Sequence, residues 1–120
     1  MKKRILIFDD DTELLSILEY ILNTENWETV CHTNCNDLIK KVKAGKPHVI
    51  LMDNRIPDKG GVESTQILKR DPELQTIPVI YFSANNDIAA LAKKAGADTY
   101  VAKPFDLTEL EKTIKGFLEA

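Results

Sequence analysis

At 120 residues the chain has the length of one domain with a single core. Apolar residues make up 43% and charged residues 29%, ordinary for a globular protein, and a net charge of −3 argues against a general nucleic-acid or membrane-surface binder. Its one dense basic run, Lys2-Lys3-Arg4, reads as a solvated flank. Cys31 and Cys35 form a lone C-x-x-x-C without companion Cys or His pairs, so free or buried thiols are expected rather than a zinc site or a disulfide. No apolar stretch approaches membrane-spanning length, and residues 5–8 are too short for a signal-peptide core, which makes the cytoplasm the expected location.

The first predicted element is a strand at residues 5–8, an unbroken apolar run of the kind covered on both faces. Leu14, Leu15, Leu18, Ile21 and Leu22 then fall on one helical face. Residues 29–32 alternate polar and apolar, which suits a half-exposed edge strand. Leu38, Ile39 and Val42 make a short helix that Gly45 and Pro47 terminate. Unbroken strands follow at 49–52 and 79–82, a weaker one at 99–102, and helices near 61–70 and 87–95 lie between them. A last helix opens on the capping-box pattern Asp106-Leu107-Thr108-Glu109 and carries Leu107, Leu110, Ile114, Phe117 and Leu118 on one face. Strand–helix alternation repeated five times predicts an α/β domain over residues 1–120, with a parallel sheet and right-handed crossovers.

In an open parallel sheet, ligands bind at the carboxyl ends of the strands. Here the first run ends in Asp9-Asp10-Asp11, the third in Asp53, the fourth in Ser83 and the fifth in Lys103-Pro104. Singly, each has an ordinary explanation: a serine after a strand caps a turn, and a lysine is solvated. Asp11, followed at once by a helical pattern, is an N-cap rather than a ligand. Jointly they place carboxylates, a hydroxyl and an ammonium on one sheet edge. Clustered carboxylate oxygens suit a hard divalent cation such as Mg²⁺. A lysine and a hydroxyl beside that cation suit a phosphoryl group.

These residues sit in segments with a familiar cast. "RILIFDDD", "VILMDNRIPDKGG", "PVIYFSAN" and "GADTYVAKPFDLTEL" resemble the four signature segments of a response-regulator receiver domain, and the resemblance spans essentially the whole chain. It implies a doubly wound, flavodoxin-like fold: a five-stranded parallel sheet of order 2-1-3-4-5 with helices on both faces. Carried over residue by residue, it makes Asp53 the phosphoacceptor. Asp10 and Asp53 would supply carboxylate ligands to Mg²⁺, Arg55 its backbone carbonyl, and Asp9 a contact mainly through water. Lys103 and Ser83 would bind the phosphoryl oxygens. Tyr100 matches the aromatic switch position that responds to Ser83, and Lys103-Pro104 matches a peptide usually cis in that family. Arg55 and Asn85 occupy positions that tune phosphoryl lifetime, and Gly60 stands where an acidic or amide residue is often found, predicting a looser loop.

The resemblance also implies partners. A sensor histidine kinase or phosphotransfer protein would donate the phosphoryl group, and a downstream effector or an output domain would read the result. No direct contact with nucleic acid or membrane is expected, and no output domain is readable after the last helix. The chain is expected to act as a self-phosphorylating and self-dephosphorylating switch rather than a turnover enzyme. "FDDDT" also resembles the first motif of haloacid-dehalogenase-type phosphatases, with Asp9 as nucleophile and Asp11 as acid. That alternative lacks a later acidic pair and leaves Asp53 and the turn from Pro57 to Gly61 without a role. An interaction module without phosphotransfer is a third reading, disfavoured because every required group is present.

Overall fold

In the computed structural model, which describes residues 2–57 and 59–119, strands and helices alternate throughout; Met1, Asp58 and Ala120 lie outside the described residues. The elements run β1 (Arg4–Phe8), α1 (Thr12–Asn23), β2 (Glu28–His32), α2 (Leu38–Gly45), β3 (Val49–Asp53), α3 (Gly61–Arg70), β4 (Val79–Ser83), α4 (Ile88–Ala95), β5 (Thr99–Ala102) and α5 (Leu107–Leu118). All strands pair in parallel, in the order β2-β1-β3-β4-β5. This is the doubly wound sheet that the sequence predicts.

The unbroken apolar runs arise because helices cover both faces of the sheet. Successive side chains of a strand point to opposite sides. Ile5, Ile7, Val49, Leu51, Ile80 and Phe82 accordingly pack with Leu15, Leu18 and Leu22 of α1 and Leu110, Ile114 and Leu118 of α5. The intervening Leu6, Phe8, Ile50 and Met52 meet Leu38 and Val42 of α2 and Leu68 of α3. Trp27, in the turn before β2, is buried in the α1–α5 layer. It lies at the end of the sheet where Glu28 pairs with Arg4, the end where the strands begin.

Edge strand β2 inverts its expected polarity: Thr29 is buried and Val30 is exposed. The physical reason is local. The Thr29 hydroxyl donates to Asn23 Oδ1 at 2.9 Å, so its burial leaves no orphaned polar group. Helix α4 buries Ile88, Ala92 and Ala95, a mostly small face, against the ring of Tyr81. Asp11 caps α1 by accepting from Leu14 N, and Asp106 caps α5 by accepting from Thr108 N and Glu109 N. Cys31 and Cys35 are not joined by a disulfide, and Lys103-Pro104 is cis.

Candidate functional site

From the carboxyl ends of the adjacent strands β1 and β3 the chain departs in opposite directions, toward β2 and toward β4. A crevice opens at such a switch point. Asp9 stands at its floor because its N–H donates to His32 O at 3.0 Å, prolonging the sheet one residue beyond β1. The side chain is fully buried. Its Oδ1 accepts from Asp11 N at 2.8 Å and its Oδ2 from Lys103 Nζ at 2.8 Å. Asp53, the last residue of β3, is also buried; its Oδ1 accepts from the same Lys103 Nζ at 3.0 Å and its Oδ2 from Arg55 N at 3.1 Å.

Lys103 reaches this position because its own N–H donates to Ser83 O at 2.9 Å, carrying the β4–β5 ladder past the end of β5. Its ammonium also lies 4.7 Å from the centroid of the Phe82 ring, which meets Phe105 edge-on. Burial opposes the lysine charge, yet hydrogen bonds and charges from Asp9 and Asp53 hold its pKa above the ordinary lysine range. Burial pushes the Asp9 carboxyl up, with the Asp53 charge adding to the effect and Lys103 opposing it. The pocket therefore resists a surplus of negative charge and is short of a cation.

Ser83 is buried, and its Oγ accepts from Asn85 N at 2.9 Å, leaving the hydroxyl proton free to donate. Asn85 Oδ1 in turn accepts from Asp87 N at 2.8 Å, just before α4. The cavity measures about 460 Å³, and Asp10, Asp53, Arg55, Ser83, Asn85 and Lys103 are on its wall. Asp10 is exposed, and oxygens of Asp9, Asp10 and Asp53 lie within 4.8 Å of one another. Three carboxylates against one ammonium leave a net negative site built of hard oxygen donors. That donor set fits a divalent cation that takes oxygen ligands and keeps waters.

The structure thus brings together every site residue that the sequence singles out except Tyr100. That residue pairs in register with Tyr81 across β4 and β5 and is 45% exposed, away from the cavity wall. Asp11, read as a cap, does cap α1 and also borders the cavity. Gly60 and Gly61 close their turn with two backbone bonds, Gly60 N to Ile56 O at 3.0 Å and Gly61 N to Asn54 O at 2.9 Å. The sequence reading passes over Asn54, Tyr81 and Phe82. Only the position of Asn54 directly after Asp53 offered a signal.

The profile of response regulator receiver domains matches residues 5–115. The chain belongs to that family. Among relatives of this receiver domain, the DNA-binding response regulator MtrA of Mycolicibacterium smegmatis is 29% identical, over 98% of this chain and 51% of its own. The receiver domain therefore spans about half the length of that relative. Its backbone resembles the CheY-like receiver domain protein of Methanospirillum hungatei at 27% identity and a TM-score of 0.88, covering 99% of this chain and 95% of that one. The receiver domain of a sensor histidine kinase from Pseudomonas aeruginosa shares the fold at 22% identity and a TM-score of 0.89, with full coverage of both chains; that protein holds a magnesium ion in its active-site cleft. Among the described residues, no helix is long and apolar enough to cross a membrane.

Proposed function

We propose that this receiver domain, residues 1–120 acting as one unit, takes a phosphoryl group from a phosphohistidine onto Asp53 and signals while that group lasts. The observation that carries this reading is the placement of Lys103 between two buried carboxylates, Asp9 and Asp53, beside the exposed Asp10. In the transfer an Asp53 carboxylate oxygen forms a bond to phosphorus and the P–N bond breaks. Its electron pair leaves with the imidazole, which takes up a proton. A carboxylate is a poor nucleophile toward an anionic donor because like charges meet. The Lys103 ammonium offsets that charge and then holds the phosphoryl oxygens. The Ser83 hydroxyl, whose proton is not engaged by Asn85, donates to them from the neighbouring strand end.

Asp10, Asp53, the Arg55 carbonyl and, through water, Asp9 would hold Mg²⁺, which when bound neutralises the charge that develops on the transferring group. Hydrolysis of the acyl phosphate later returns the carboxylate, which makes the domain a switch rather than a turnover enzyme. Arg55 and Asn85, at the rim, set how readily water enters. Drawing the Ser83 hydroxyl inward gives the Tyr100 ring room to turn from solvent toward the core. The face formed by α4, β5 and α5 then changes and is read by an effector or an output domain. The donor is a sensor histidine kinase or a phosphotransfer protein. The expected location is the cytoplasm, and no nucleic acid is touched directly.

The test is labelling by a small phosphodonor such as acetyl phosphate. Label is expected at Asp53, dependent on Mg²⁺, stable to acid and labile to base, and absent from Asp53→Asn. Label on Asp9, as the phosphatase alternative requires, or equal labelling of wild type and Asp53→Asn, overturns the assignment.

A further inference from the structure

Tyr81 is a fully buried tyrosine on the middle of β4, and its phenol donates to Asn54 Oδ1. A buried phenol needs a partner, and this one finds it on the residue that directly follows Asp53. Asn54 is held at three points. Its N–H donates to Phe82 O at 3.1 Å, its carbonyl accepts from Gly61 N at 2.9 Å, and its side-chain oxygen accepts from Tyr81. It is also on the wall of the Asp53 cavity. Burial and the nearby Asp53 charge push the phenol up to about 12, so it remains protonated and able to donate across the neutral range.

We propose that Tyr81 is a positioning residue that prolongs the acyl phosphate at Asp53 by keeping the Asn54 amide oxygen away from the cavity. The inference rests on Asp53 being the phosphoacceptor. Loss of the phosphoryl group requires a water. Its oxygen forms a bond to phosphorus, the acyl P–O bond breaks, and the electron pair returns to the Asp53 carboxylate. The water's proton leaves with inorganic phosphate. A neutral amide oxygen at the cavity wall is a good acceptor for orienting that water. Tyr81 ties this oxygen to the α4 side of the sheet, where its ring packs under Ile88, Ala92 and Ala95. Without the phenol, Asn54 χ2 is free to turn its oxygen over the cavity.

The experiment follows decay of the labelled domain in Mg²⁺ after removal of acetyl phosphate, for wild type, Tyr81→Phe, Asn54→Ala and the double variant. Phenylalanine keeps the ring beneath α4 and removes only the donor. The expected result is decay about fivefold faster in Tyr81→Phe, the scale of one neutral hydrogen bond in a barrier. In the Asn54→Ala background the same substitution changes nothing further, because the oxygen it would release is gone. A thermal melt of each variant establishes that it is folded. Should Tyr81→Phe not fold, Asn54→Ala alone still decides, since its label must persist as long as in wild type or longer. Wild-type decay in folded Tyr81→Phe, equal acceleration in both backgrounds, or faster decay in Asn54→Ala overturns the proposal. Failure of the phosphoacceptor reading looks different: the wild type takes no label, or Asp53→Asn keeps it, and the inference falls with it.

Discussion

Gly61 packs so closely against Asp53 that a Cβ at position 61 would lie 2.4 Å from the Asp53 carbonyl oxygen and 2.9 Å from Asn54 Cα. Both are backbone atoms, which cannot rotate away as a side chain would. Gly61→Ala is expected to lower stability by about 3 kcal/mol and to displace the end of β3. Gly60 differs: its φ of +84° favours glycine, but the nearest atom to an added Cβ is 3.7 Å away. Gly60→Ala should therefore cost only about 1 kcal/mol of backbone strain. Urea unfolding of the two variants checks the ranking, and equal losses would refute it.

Removing the charge of Asp9 is expected to stabilise the protein without metal. The Asp9 carboxyl is raised above its ordinary range chiefly by burial, even with Lys103 beside it, so the fold on balance resists that charge. A raised carboxyl costs stability above its folded pKa and stops doing so as pH falls through it. Asp9→Asn removes the buried charge and keeps one acceptor oxygen, which can serve Asp11 N while Lys103 Nζ retains Asp53 Oδ1, and it should gain about 1 kcal/mol at neutral pH. The same variant should lose part of the upward shift in melting temperature expected from Mg²⁺, because Asp9 would reach the ion only through water. A larger Mg²⁺ shift in the variant than in the wild type would contradict the picture.

A pH effect follows from His48, whose Nδ1 accepts from Arg4 N at 2.9 Å. Partial burial, then the charges of Lys3 and Arg4, hold its pKa below the ordinary histidine value of 6.5. A depressed folded pKa gives stability that is present above the unfolded value and lost as pH falls through the folded one. Melts of wild type and His48→Asn from neutral to mildly acidic pH should converge as pH falls, because only the wild type loses this contribution. Parallel curves would show that His48 is not the group responsible.

Lys69 and Asp98 tie α3 to the entrances of β4 and β5. The Asp98 carboxylate accepts from Lys69 Nζ at 2.7 Å and from Val79 N at 2.7 Å, while Lys69 Nζ also donates to Ile77 O at 2.9 Å. Lys69→Met retains the stem and should cost about 1 kcal/mol. Asp98→Ala strands the Val79 N–H and should cost about 2 kcal/mol. Denaturation of both singles and the double variant should reveal a coupling between them; strict additivity would mean that the two act separately.

The parts of this protein that were legible from its sequence are those fixed by local pattern. Unbroken runs at β1, β3 and β4 announce a sheet covered on both faces, and the residues that follow each strand announce the site, because strand ends in a parallel sheet share one edge. What was hidden depends on pairing across the sheet. Thr29 is buried because Asn23, on α1, accepts its hydroxyl proton, and residue type alone ranks it as exposed. The small residues of α4 suggest weak anchoring, while the ring they rest on comes from Tyr81 on a different element. Asn54 looks like a turn residue until the phenol of that same tyrosine is found on it.

The single tryptophan gives the molecule an optical asymmetry. Trp27 is buried where the strands begin, whereas Asp9, Asp53 and Lys103 gather where they end. An indole there senses loss of the α1–α5 layer but sits a strand's length from any ion or phosphoryl group in the crevice. Its emission should consequently stay constant through a Mg²⁺ titration and collapse only on denaturation. Native fluorescence thus supplies an internal clock for unfolding that ligand at the carboxylates does not disturb, and any response to that ligand must be sought from the tyrosines.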